Sequence, residues 1–185
     1  MGQRWHRLPG TDRSDLPHIL IIGNYITKGY TPKVEPAFEG RAYVGRISNS
    51  KCLGDPALFD ELEPVLKHNK FDIIHFNNGL HGAGYTEEEY DKAFPKLIWA
   101  TTTPVGCGEG MTGFTEFSDR VKVRNEIAMK HIAKAGDITV DDLWSVVVDH
   151  PEYYAGGDGT HPVESGWEAL AAQVTKVLEA TLDEK

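Results

Sequence analysis

Asp158 stands three residues before His161 in the run Asp-Gly-Thr-His, which follows two glycines and precedes a proline. A carboxylate at that spacing, in a glycine-rich turn ahead of a helix, can accept one ring N–H and fix the tautomer. The other ring nitrogen is then left to act as a base. The same two residues also suit a polar cap where the next helix begins. Three more segments carry reactive or binding groups: Gly23 to Thr27 (GNYIT), Ser48 to Gly54 (SNSKCLG) and Asn77 to Gly82 (NNGLHG). They bring a phenol (Tyr25), a hydroxyl and an ammonium (Ser50, Lys51), a second imidazole (His81), and the polar or flexible positions Asn24, Asn78 and Gly79. Such a set suits proton transfer with stabilisation of developing negative charge.

Those segments need a scaffold that brings them together. His18–Gly23 is a short apolar run closed by glycine, the pattern of a strand buried on both faces. A short helix is expected over 32–38 and a second strand over 41–47. Asp55 followed by Pro56 predicts an N-cap with proline at the first helical position, opening a helix to about His68. A third strand is expected over 71–77, a helix start near Thr86 with Glu87 to Glu89, and a fourth strand over 96–103. Beyond these the sequence predicts a helix over 118–135, a weak strand near Ile138, a helix near 141–147 and an amphipathic helix over 162–182. Strands alternating with helices imply a three-layer α/β/α sandwich around a central parallel sheet, of flavodoxin-like topology. Ligands of such sheets sit beyond the carboxyl ends of the strands, so the loops after Gly23, Ile47, Asn77 and Thr103 should converge. Residues 1–17 read as an N-terminal extension and 18–185 as one domain.

The chain of 185 residues is 40% hydrophobic with 19 glycines, the composition of a globular domain rather than a disordered one. Nineteen Lys and Arg against twenty-eight Asp and Glu leave a net charge of −9. That field repels phosphate backbones and anionic lipid, which argues against nucleic-acid and membrane partners. No window reaches the apolar length of a membrane span, and Met1 to Pro17 lacks the apolar core of a signal peptide. The chain as written reads as soluble and cytoplasmic, or exported if a leader preceded it. Cys52 and Cys107 have no metal-ligand spacing, so neither a metal nor a cofactor is implied.

Over nearly its whole length the chain resembles the SGNH hydrolase superfamily, the GDSL-type esterases and lipases. ILIIGNYITKGYTPKV from Ile19 stands where that family has a strand ending in Gly-Asp-Ser. FDIIHFNNGLHG from Phe71 is similar to its third block, KLIWATTTPV from Lys96 to the following strand, and DGTHPVESGWEALAAQV from Asp158 to its final Asp-x-x-His block. The resemblance implies the α/β/α fold and, by analogy, hydrolysis. Its departures fall on the reactive atoms. Asn24 and Tyr25 replace the Asp-Ser pair, Ser48 to Lys51 lacks the second-block glycine, and His81 takes the place of the oxyanion-binding asparagine. Asp158 and His161 are kept. Departures at so many positions exceed a single engineered change at Tyr25.

A phenolic oxygen lies roughly 4 Å farther from its Cα than a serine oxygen, so Tyr25 would project through the space where the family's acyl carbon sits. A non-serine mechanism is therefore expected on a carbohydrate or carbohydrate ester. In it His161, oriented by Asp158, activates water, His81 or Lys51 stabilises negative charge, and Tyr25 exchanges a proton. The alternatives are β-elimination from a uronic-acid glycan with Lys51 neutralising the acid, or a pseudoenzyme that binds without turnover. Trp99, Trp144, Trp167, Tyr85, Tyr153 and Tyr154 could stack on sugars or fill the core. His75 reads as a core histidine, and Thr101 to Thr103 as a strand end, with Thr103 beside the site. The glycine-rich stretch 104–117 reads equally as a lid or a surface insertion. Cys52 has only its place near the second loop to recommend it as a nucleophile.

Overall fold

The computed structural model describes residues 15–81, 84, 86–87, 99–106, 113–136, 138–155 and 158–183, together with the backbone of 5–7. Among the described residues six strands form one sheet: β1 (Trp5–Arg7), β2 (His18–Gly23), β3 (Tyr43–Ser48), β4 (Ile73–Asn77), β5 (Trp99–Ala100) and β6 (Val140–Asp141), in the order β1-β3-β2-β4-β5-β6. β2 to β6 run parallel, and β1 joins the edge antiparallel to β3. The parallel sheet between helix layers is as expected. The first strand is not: three residues of the stretch read as an extension pair with Arg46 to Ser48.

β2 shows why the core has two halves. Side chains alternate across a strand, so Ile19 and Ile21 face one way and Leu20 and Ile22 the other. The first pair packs with Ile26, Tyr30 and Val34 of helix α1 (Tyr25–Val34) and with Leu170, Val174 and Leu178 of helix α5 (Glu164–Asp183). The second pair packs with Leu58 and Leu62 of helix α2 (Pro56–His68) and with Ala128 and Ile132 of helix α3 (Glu116–Ala135). A short helix α4 (Leu143–Val147) completes the first layer. The Asp55 cap forms as predicted, its carboxylate accepting from Ala57 N–H at 3.0 Å.

Helix α1 corrects the expected helix over 32–38. It starts at Tyr25, directly after β2, and runs through Pro32 into a 3₁₀ turn at Glu35–Phe38. Proline cannot donate to the carbonyl four residues back. That carbonyl, of Lys28, instead accepts from Arg46 Nη1 at 3.2 Å, so a side chain from β3 replaces the missing backbone bond. Of the strand expected over 96–103, Trp99–Ala100 is strand and 101–103 is not, while 96–98 lie outside the described residues; the strand near Ile138 lies at Val140–Asp141. The helix start at Glu88 and Glu89, the 107–112 part of the glycine-rich stretch, Tyr85, Gly82 and Cys107 lie outside the described residues.

His75 is a core histidine. It is fully buried on β4, with Nε2 2.8 Å from Asp141 Oδ2 on β6, while Asp141 Oδ1 accepts from Gln173 on α5 at 3.0 Å. No helix among the described residues is long and apolar enough to cross a membrane.

At Gly29 helix α1 packs directly on Trp167 of α5, because a Cβ there would lie 2.5 Å from the Trp167 ring. Glycine to alanine in a helix interior ordinarily stabilises by about 0.5–1 kcal/mol. Here overpacking reverses the sign: Gly29→Ala should destabilise by about 1–3 kcal/mol, read as a lower urea midpoint. A raised midpoint would contradict this packing.

Candidate active site

The carboxyl ends of β2, β3 and β4 lie side by side, with Gly23 in register with Ser48 and Ile22 with Phe76. Gly23 closes β2 because nothing larger fits: a Cβ would fall 2.0 Å from Thr27 Oγ1. The chain then turns at once into α1, with Asn24 as N-cap. Its Oδ1 accepts from Ile26 N–H at 2.8 Å, so the buried Asn24 amide is engaged in starting the helix. Tyr25 is the first helical residue and is 41% exposed at the positive end of the helix.

Asp158 and His161 meet Tyr25 from the far end of the chain. Asp158 Oδ1 accepts from the backbone N–H of Thr160 (2.9 Å) and of His161 (2.8 Å), and Oδ2 lies 2.6 Å from His161 Nδ1. Burial is the largest single influence on Asp158 and raises its pKa, but the backbone and ring hydrogen bonds of His161, the Thr160 N–H and the His161 charge together outweigh it and bring the pKa down to about 2. The carboxylate stays ionised and orients the imidazole. The turn is held against the segment that follows β5: Gly159 has φ +74°, its carbonyl accepts from Gly106 N–H at 2.7 Å, and a Cβ on it would lie 2.6 Å from the Gly106 carbonyl oxygen. Opposite, the Tyr25 and His161 rings make an edge contact, centroids 6.1 Å apart and planes at 87°. Lys28 Nζ sits 5.4 Å from the Tyr25 ring centre.

His81 completes the cluster. Burial and the neighbouring charge of His161 hold its pKa below 6.5, so it is neutral near neutral pH. Its Nε2 is buried and finds no hydrogen-bond partner among the described residues. A neutral imidazole with that nitrogen protonated is a donor awaiting an acceptor. Gly79, two residues earlier, has φ +151° and lies tight against Thr102.

Other candidates take framework roles. Lys51 Nζ is paired with Glu61 at 2.7 Å, and Asn49 donates to the same carboxylate at 3.1 Å. Asn78 brackets the second loop, donating to the Lys51 carbonyl at 3.0 Å and accepting from Leu53 N–H at 3.2 Å. Ser50 is exposed on that loop, while Ser48 is buried at the end of β3 with a hydroxyl unpartnered among the described residues. Thr103 is buried beside Tyr154, and Cys52 is buried. Of the aromatic residues considered for sugar stacking, Trp99 and Tyr154 are core, Trp167 packs on Gly29, and Trp144 lines a groove of about 590 Å³ along α3. No three His, Cys, Asp or Glu side chains gather as a metal site among the described residues.

Solved structures share this architecture. The catalytic domain of peptidoglycan O-acetyltransferase A from Streptococcus pneumoniae matches with a TM-score of 0.64 at 20% identity, over 91% of this chain and 96% of that one. An acetylxylan esterase from Geobacillus stearothermophilus matches at 0.69 and 13%, over 88% and 94%. A GDSL-like lipase from Bacteroides thetaiotaomicron matches at 0.69 and 15%, over 92% of each chain. The fold is that of the SGNH hydrolases. The likeness is one of backbone, since no family model and no curated protein matches the sequence.

On this SGNH fold the state of His81 is measurable. Its lowered pKa means the native protein binds fewer protons than the unfolded chain below pH 6.5, so its contribution to stability is intact above 6.5 and falls as the pH drops. The Asp158 contribution is intact above 3.8 and is lost as the pH falls toward about 2. In an NMR titration the His81 ring should show a midpoint below 6.5. His161→Ala should move it upward by removing the like charge, with burial still holding it below the free value. A midpoint at or above 6.5 in the unsubstituted protein would contradict this geometry.

Proposed function

We propose that the protein is an SGNH-type hydrolase that cleaves a carbohydrate ester without an acyl-serine intermediate. The observation that carries this reading is the convergence of an Asp158-oriented His161, a neutral His81 and the Tyr25 phenol at the carboxyl edge of the sheet. His161 Nε2 takes a proton from water as the oxygen attacks the ester carbonyl, and Asp158 stabilises the imidazolium that forms. The carbonyl oxygen becomes an oxyanion that accepts a hydrogen bond from His81 Nε2–H, with the positive end of α1 alongside. Collapse expels the sugar oxygen, which takes the proton from His161, leaving a carboxylic acid and a free hydroxyl. Tyr25 walls His161 and offers its hydroxyl to the substrate.

An ester suits this site better than a glycosidic bond. Glycoside hydrolysis generally needs two carboxyl groups flanking the bond. Among the described residues Asp158 is the carboxylate brought to the cluster, and three hydrogen bonds occupy it. β-Elimination would draw on Lys51 as the neutralising cation, and its Nζ is engaged by Glu61. The acetylated-glycan chemistry in the names of two similar structures, the acetylxylan esterase and the peptidoglycan O-acetyltransferase, supports acetyl esters of polysaccharides as the first substrates to test.

Turnover of an aryl acetate and of acetylated xylo-oligosaccharides, followed by acetate release, tests the reading. His161→Ala should lose about 10²–10⁴-fold of the rate while keeping its thermal midpoint, and Tyr25→Phe about tenfold. Equal rates in the parent and His161→Ala would refute the catalytic assignment. No turnover in the parent, with acetylated glycan bound equally by parent and both variants, would make the protein a binding module.

A further inference from the structure

Arg124 is the least expected residue near this site. It lies on α3, in the helix layer opposite α1, and is 1% exposed. Its Nη1 donates to two carbonyls of one loop, those of Gly79 at 2.8 Å and His81 at 3.1 Å. Its Nε lies 3.8 Å from Glu87 Oε1, a carboxylate that also accepts from Arg120 Nε at 2.8 Å, and its guanidinium stands 5.9 Å from the Phe117 ring centre. A buried cation is tolerable only when charged and polar partners surround it. Those partners here include the backbone carbonyls on either side of Leu80.

We infer that Arg124 is a positioning residue of the catalytic site: by gathering the Gly79 and His81 carbonyls onto one nitrogen it sets the curve of the 79–81 loop and, through it, the placement of the His81 ring. The inference rests on the role given to His81 above. Geometry makes the coupling stiff. The loop is clamped from α3 by Arg124, and Gly79 has no room against Thr102, where a Cβ would lie 2.5 Å from Oγ1. The peptide unit is planar, so fixing the Gly79 carbonyl also fixes the direction of the Leu80 N–H, which points away from the guanidinium. The 79–81 loop therefore has little freedom to slide or flip. An oxyanion donor is useful only within a few tenths of an ångström of its acceptor, so its placement acts on the transition state more than on substrate binding.

The test compares Arg124→Met and Arg124→Lys with the parent. Three readouts are followed: the thermal midpoint, the NMR shifts of the His81 ring, and kcat and KM on an aryl acetate. Arg124→Met should displace the His81 ring resonances and lower kcat by about tenfold with KM within about twofold. Arg124→Lys, which keeps the charge and can reach one carbonyl, should recover part of both. A folded Arg124→Met with His81 resonances and kcat unchanged overturns the inference, as does a fall in stability alone. If neither variant folds, the unsubstituted protein decides: slowly exchanging Arg124 Nη protons support the clamp, and rapidly exchanging ones overturn it. A parent without turnover would defeat the proposed function, yet the His81 resonances would still report on the clamp.

Discussion

One carboxylate, satisfied within a single turn of chain, sets the geometry on which the site depends. Asp158 uses one oxygen to accept two backbone N–H groups and the other to hold the His161 ring. Because those hydrogen bonds favour the ionised form, the acid stays charged across the range in which a histidine can act as a base. The turn can tighten this far only because Gly159 takes a positive φ and lies flush against Gly106, bringing the C-terminal segment onto the loop after β5. A side chain at that position would push His161 off the sheet edge and away from Tyr25.

The rest of the molecule brings other strands' loops to meet that imidazole. β2 ends at a glycine and delivers Tyr25 at the first position of α1. β4 continues into the 79–81 loop, which Arg124 holds from beneath and Thr102 from the side. Thr102 is itself locked to α3, exchanging two hydrogen bonds of 2.9 Å with the Asn125 side chain as a neighbouring strand would. The second loop is tied down by Asn78 and by the Lys51–Glu61 pair. Polar side chains thus replace ladder bonds where β5 ends at Ala100, and they tie down the edge where chemistry would occur.

Much of this was legible in the sequence for simple reasons. β2 was readable because a strand buried on both faces must be apolar at successive positions, and α2 because Asp55 and Pro56 each satisfy a known need of a helix start. Asp158 and His161 were readable because their spacing is itself the geometry. Tyr25 and His81 stood out as departures from a familiar pattern. Other features depend on partners distant in sequence. Pro32 looked like a helix boundary, since nothing local reveals that Arg46 will serve the carbonyl it abandons. Lys51 has the charge to stabilise an anion, but nothing local in the sequence shows that Glu61 pairs with its ammonium. β1 is three residues long, too short for a periodic signal. Arg124 and Asn125 did leave a trace: they interrupt the apolar stripe Val121, Ala128 and Ile132 of α3, and polar residues at core-facing positions call for buried partners.

The central claim is that water, activated by His161, attacks the ester directly. Rapid-quench intact-mass measurement of the protein during hydrolysis of an aryl acetate tests it most directly. The account predicts acetate release with the protein mass unchanged at every time. A transient gain of one acetyl group that forms and decays at the rate of turnover, on Tyr25 or any other side chain, would contradict it.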